Sequence, residues 1–176
     1  MKLCRILDER QRVYKTGLFP KVRNGVRPFR YHVVLGIGGN IGDTIRRMER
    51  VWIYLSRLPF CEPLQSGTIL KNPPFGYTEQ ADFYNSVIEI ATSLEPMELL
   101  QKIWGIEKRF GRKRSFPNAP RTMDIDIIFF GNRTLRKKRL TIPHPGWKER
   151  PSVIIPLHDL PRRRKRRRRR YENLDI

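Results

Sequence analysis

The chain has 176 residues and a formal net charge of +20, with 37 Lys and Arg against 17 Asp and Glu. That length is about one domain. No apolar run approaches the ~20 residues of a membrane span, and a first segment as charged as MKLCRILDERQRVYKTG is not a secretory signal. Cys4 and Cys61 are the only cysteines, too few for a disulfide framework, so a reducing cytoplasmic setting is expected.

The charge is uneven. Residues 1–30 hold nine basic side chains against two acidic ones, residues 31–160 hold 19 against 13, and Arg162–Arg170 is the run RRRKRRRRR. The organisation expected is an N-terminal extension over 1–30, a core domain over 31–160 and an Arg-rich tail over 161–176. The tail on its own predicts nonspecific, salt-dependent contact with phosphate polyanions.

The first 30 residues show no sustained period. Tyr31–Ile37, YHVVLGI, is apolar and β-branched and predicts a strand. LGIGGNIGD (Leu35–Asp43) follows the pattern of neither phosphate loop: the dinucleotide fingerprint needs glycine where Ile41 stands, and no Gly-Lys-Ser/Thr ending is present. Asp43 suits a helix N-cap. Ile41, Ile45, Met48, Trp52 and Leu55 then recur at helical spacing until Pro59.

Gln65–Lys71 predicts a second strand, and NPPFGY (Asn72–Tyr77) a stiff irregular loop. Phe83–Ala91 predicts a third strand. A helix opens at Pro96, carries Leu99, Ile103, Ile106 and Phe110 as a stripe, and stops at Gly111. Arg121–Gly131 predicts a fourth strand, and Arg150–Leu157 a short final one. The order strand, helix, strand, strand, helix, strand predicts an α+β, ferredoxin-like fold: a largely antiparallel sheet with helices packed on one face.

The chemistry concentrates in MDIDI (Met123–Ile127). On a strand Asp124 and Asp126 share one face, about 6.5–7 Å apart at Cα, while Met123, Ile125 and Ile127 share the other. Same-face carboxylates repel, and a cation between them relieves the repulsion. Oxygen ligands without clustered Cys or His favour magnesium. A solvated strand face neutralised by arginines is the alternative. Arg112, Arg114 and Arg121 flank the pair, and guanidinium forks match phosphate oxygens. Phe83 and Asn85 share a strand face and offer a stacking platform beside a carboxamide, although an inward Phe is also ordinary core. His144 lies between prolines on a loop leading to Arg150. No arrangement for covalent nucleophilic catalysis emerges.

Taken in order, LGIGGNIGD, NPPFGYTEQADFYNSV, SLEPMELLQKIWGIEKRFGR, APRTMDIDIIFFGN and LTIPHPGWKER resemble the 6-hydroxymethyl-7,8-dihydropterin pyrophosphokinases of folate biosynthesis over about residues 31–160. That resemblance implies a ferredoxin-like catalytic domain. It also implies transfer of pyrophosphate from ATP to the pterin hydroxymethyl group, with AMP released and two magnesium ions assisting. It implies that Asp124 and Asp126 hold the metals. Glu107, Arg112, Arg114, Arg121, Arg139, Thr141, His144 and Arg150 would line the ATP site, with Arg112 and Arg121 acting in catalysis alongside the two aspartates. Gly38, Asn72, Pro73, Pro74, Phe75, Phe83 and Asn85 would hold the pterin.

The chain departs from the family pattern at three places. Ser152 and Val153 stand where a second pterin-stacking aromatic is usual. The arginine loop lacks a common tryptophan, with Phe116 nearby. Trp104 stands where a polar residue is frequent.

Overall fold

The computed structural model describes residues 1–25, 27–113, 116 and 119–161. Tyr31–Gly39 forms a long strand, β4, at the centre of the sheet. It pairs antiparallel with β7 (Phe83–Thr92) on one side and β8 (Asp124–Phe130) on the other. The edge beyond β7 is shared by β5 (Cys61–Ser66) and β6 (Ile69–Asn72). The path β6-β7-β4-β8 is the antiparallel sheet of the split βαβ arrangement.

The single strand expected over Gln65–Lys71 is therefore two, interrupted at Gly67 and Thr68. A β-carbon on Gly67 would fall 2.0 Å from the Pro156 carbonyl oxygen, so the break admits the backbone of a helix crossing the sheet.

That helix, α3, is Pro151–His158 and replaces the short strand expected over Arg150–Leu157. The run Val153-Ile154-Ile155 reads as β-branched sequence. Burial decides otherwise: Val153, Leu157 and Leu160 recur at helical spacing on one apolar face. Pro151 stands at the first helical position, where its fixed φ suits a helix start.

Two helices cover the opposite face. In α1 (Thr44–Ser56), the Asp43 side chain accepts from the Arg46 N–H, and Met48, Val51, Trp52 and Leu55 are buried. In α2 (Pro96–Arg109), Glu95 and Glu98 form a reciprocal cap and Gly111 takes φ +85° just past the end. Ile41, expected on the α1 stripe, lies before the helix and is exposed, because Gly42 at φ +67° turns the chain first.

Alternation along the strands builds both cores. Val33, Leu35, Ile37, Ile88, Ile90, Ile125 and Ile127 pack beneath α1 and α2. Val34, Val87 and Ile128 face Trp147, Val153, Leu157 and Leu160. Helices thus lie on both faces rather than one, with only α3 and a 3-10 turn (Trp147–Glu149) on the second.

Residues 1–22 supply three strands. β1 (Lys2–Ile6) and β2 (Arg12–Lys15) form a hairpin whose second strand adds to β6, and β3 (Lys21–Val22) adds to β5. Val13 and Phe19 are fully buried, so this segment packs onto the sheet. A small hairpin, β9 (Leu135–Lys137) with β10 (Leu140–Ile142), follows β8. Among the described residues no helix is long and apolar enough to cross a membrane.

Candidate active site

On the second face of the sheet, α3 and the 3-10 turn cover the apolar end. Toward the other end, the same alternation presents polar side chains. In β8, Asp124 and Asp126 are half-buried, while Met123, Ile125 and Ile127 point into the core under α1 and α2. Gly38 pairs with Asp124 on one side and Asn85 on the other, and Gly36 pairs with Asp126. Asn72 pairs with Phe83. Two carboxylates, two bare glycines, a carboxamide and an aromatic ring therefore share one end of one face.

The bareness is required. A β-carbon on Gly38 would fall 2.1 Å from Asn85 Oδ1. The Asn85 carboxamide lies across the glycine and donates to Asn72 Oδ1 at 2.7 Å. Phe75 is almost wholly exposed at the tip of the Asn72–Tyr77 loop, with Pro73 and Pro74 half-buried behind it. The Phe116 ring meets Tyr77 edge-on at 5.5 Å, so the segment before β8 touches this loop.

Arginines enclose the carboxylates. Arg121 Nη1 donates to Asp124 Oδ2 at 2.5 Å, and its guanidinium lies 5.2 Å from the centre of the Phe83 ring. Arg112 Nη1 is 2.5 Å from Asp124 Oδ1 and also donates to Glu107.

Glu107 is buried at the end of α2. Its Oε1 accepts the Ile125 N–H at 2.8 Å, a donor on the outer edge of strand β8. It thus ties the helix to the carboxylate strand and aims Arg112 at once. Burial pushes the Glu107 carboxyl up to about 7, against the downward pull of the Ile125 N–H and Arg112.

Asp126 is also held above the usual carboxylate range. Burial is the main cause and the Asp124 charge the second, with His144, Arg150 and Arg112 pulling the other way. His144 and Arg150 are thus the positive groups that bear on Asp126 from the loop after β10. His144 Nδ1 and Arg121 Nε are buried with no hydrogen-bond partner among the described residues. Arg139 is exposed and Thr141 half-buried on the β9–β10 hairpin, and neither bonds to Asp124 or Asp126. Arg114 and Arg162–Arg170 lie outside the described residues.

Two residues without a site role in the sequence reading hold the frame. Asn40 Oδ1 accepts the Arg121 N–H at 2.9 Å, while its Nδ2 donates to Gln80 and to the Ala81 carbonyl. Arg47 Nη1 donates to the Ile41 and Thr122 carbonyls, fastening α1 to the segment before β8. Asn40 follows the glycines, which marks a turn, but its reach of 81 residues to Arg121 has no local signature.

Comparison with known proteins decides what this arrangement belongs to. The sequence model of 7,8-dihydro-6-hydroxymethylpterin-pyrophosphokinase (HPPK) matches residues 34–162. The chain belongs to this family. It is 40% identical over 147 residues to the 2-amino-4-hydroxy-6-hydroxymethyldihydropteridine pyrophosphokinase of Helicobacter pylori, covering 82% of this chain and 90% of that one. It is 38% identical over 143 residues to the protein of the same name in Campylobacter jejuni, covering 81% and 91%. The Bacillus subtilis pyrophosphokinase is 35% identical over 126 residues, covering 72% and 75%. The HPPK match takes in β6, β7, β8, β4 from Val34 onward and the residues placed at the site above, and with the family come transferase chemistry and folate biosynthesis.

Proposed function

We propose that this chain transfers pyrophosphate from ATP to the hydroxymethyl group of 6-hydroxymethyl-7,8-dihydropterin and releases AMP, with two magnesium ions held by Asp124 and Asp126. The observation that carries this reading is the shared sheet face: the carboxylate pair, ringed by Arg112 and Arg121, stands one strand from Gly38 and two from Asn85 and Phe83.

The donor set suits magnesium. Both ligands are hard oxygens, and among the described residues no group of three His, Cys, Asp or Glu closes a protein-only cage. Magnesium is commonly held by one or two carboxylates with substrate phosphates and water completing the shell. When bound there it supplies charge neutralisation on the phosphate oxygens.

The remaining work falls to the chain. Phe83 and Asn85 hold the flat heterocycle, one by stacking and the other through its amide edge, and Gly38 lets the ring approach the backbone. Pro73 and Pro74 stiffen the loop that carries Phe75 toward the ring. Arg112 and Arg121 orient the triphosphate so that the hydroxyl meets the β-phosphorus in line, and His144 Nδ1 and Arg121 Nε, without a partner among the described residues, are free to bond to it. Arg150 adds positive charge beside Asp126, and Arg139, Thr141 and Arg114 complete the nucleotide side. Glu107 acts through Arg112. The Arg162–Arg170 run contacts polyanions outside the reaction, on its charge alone.

Kinetics of two variants test the assignment. Asp126→Ala lowers kcat by about 10³-fold or more with the circular dichroism spectrum retained. Phe83→Ala raises KM for the pterin with far less effect on KM for ATP. Near-normal kcat in Asp126→Ala removes the metal role, and equal shifts in both KM values remove the pterin platform.

A further inference from the structure

Asp124 stands with both carboxylate oxygens taken by guanidinium groups, Oδ1 by Arg112 and Oδ2 by Arg121, each at 2.5 Å. The two arginines come from different segments with separate supports. Arg112 leaves the turn after α2, its backbone N–H bonded to the Glu107 carbonyl and its side chain to the Glu107 carboxylate. Arg121 precedes β8, with its backbone fixed by Asn40. Arg121 also lies over the Phe83 ring. One cation therefore covers an oxygen of the carboxylate pair and the aromatic platform together.

A carboxylate paired in this way is a poor ligand for a divalent cation, because the ion must displace a guanidinium from each oxygen it takes and is repelled by both. A polyphosphate offers the same guanidiniums more charge and matching bidentate geometry. Arg121 also has a buried Nε with no partner among the described residues, an unfilled donor at the point of exchange.

We infer that Arg112 and Arg121 form a partner-exchange clamp. Without nucleotide both occupy Asp124, and Arg121 also lies over Phe83. A polyphosphate draws both guanidiniums off, and that one movement frees Asp124 for a divalent cation and the Phe83 ring for the flat substrate. Two guanidinium–carboxylate pairs become two guanidinium–phosphate pairs, and the released carboxylate is paired by the metal. The clamp rests on the nucleotide and metal reading given above, and it adds a coupling between them carried by the chain itself, beyond direct coordination of the metal by phosphate.

The test is Mn2+ binding to the full chain without nucleotide, read from the electron paramagnetic resonance signal of free Mn2+. Arg112→Gln and Arg121→Gln each bind Mn2+ about tenfold more tightly than the unsubstituted chain, and adding Asp124→Asn abolishes the gain. Arg150→Gln removes an equal charge that acts on Asp126 but pairs with neither Asp124 oxygen, and changes affinity less than about threefold. A gain in binding cannot come from a variant that fails to fold.

A second readout uses Phe83→Trp, whose emission shifts when inorganic tripolyphosphate is added without metal; the shift is absent in Phe83→Trp with Arg121→Gln. Equal Mn2+ affinities in Arg112→Gln, Arg121→Gln and Arg150→Gln overturn the clamp. AMP formation by the unsubstituted chain is measured alongside. If AMP forms while the Mn2+ affinities stay equal, the clamp fails and the catalytic reading stands. If neither AMP nor any Mn2+ binding is seen, both fail.

Discussion

Asn85 occupies the space that a side chain on Gly38 would need: a β-carbon there would sit 2.1 Å from Asn85 Oδ1. Gly38→Ala must therefore push the carboxamide aside and break its bond to Asn72. The expected result is a KM for the pterin raised about tenfold or more, since misplacing a positioning group by an ångström is that damaging. Steady-state kinetics with each substrate varied in turn check it. An unchanged pterin KM would show that Asn85 has another place to go.

The same contact shows what the sequence could and could not reveal. MDIDI announces its two faces because strand alternation is a local rule, and the structure places Met123, Ile125 and Ile127 in the core and the aspartates on the site face. The glycines of LGIGGNIGD announce a turn, but the reason for Gly38 lies on a strand 47 residues away. Asn40 bonding to Arg121 is invisible for the same reason. Val153-Ile154-Ile155 favours a strand locally, and only the apolar sheet face waiting for it makes α3. The N-terminal strands lack a period because β1 is exposed along its whole length and β3 has two residues.

Gly67 carries a structural prediction. A β-carbon there would lie 2.0 Å from the Pro156 carbonyl oxygen, a backbone atom that moves only if α3 moves. Gly67→Ala lowers stability by about 2 kcal/mol or more, measured by urea denaturation. Because Val153, Leu157 and Leu160 share the core beneath α3, near-UV circular dichroism of Trp147 changes with it. A loss below about 0.5 kcal/mol, the usual range of a surface substitution, would mean that the helix does not bear on this strand break.

Glu107 predicts a pH dependence whose sign follows from its burial. Its carboxyl is raised from 4.5 to about 7 in the folded chain. The folded state therefore binds a proton that the unfolded state has released, so this contribution to stability is full below about 4.5 and is lost as pH rises through about 7. Urea denaturation of metal- and nucleotide-free protein at pH 5.5 and pH 8 gives a larger fall for the unsubstituted chain than for Glu107→Gln, whose amide oxygen still accepts from Ile125 and Arg112. An identical fall in both proteins would remove Glu107 as the source.

The Arg-rich run predicts a separation of effects. Truncation after Pro161 leaves kcat and both KM values within about twofold, while retention on a heparin column falls to lower salt. A large loss of turnover would mean that the run takes part in the reaction.

Pyrophosphoryl transfer at the carboxylate pair leaves its mark in the nucleotide product. Purified protein is incubated with ATP, magnesium and 6-hydroxymethyl-7,8-dihydropterin, and the nucleotides are separated by chromatography. AMP is expected in one-to-one amount with a diphosphorylated pterin, dependent on both magnesium and pterin and absent in Asp126→Ala. ADP as the product, or no pterin-dependent AMP from either the full chain or the chain truncated after Pro161, would contradict it.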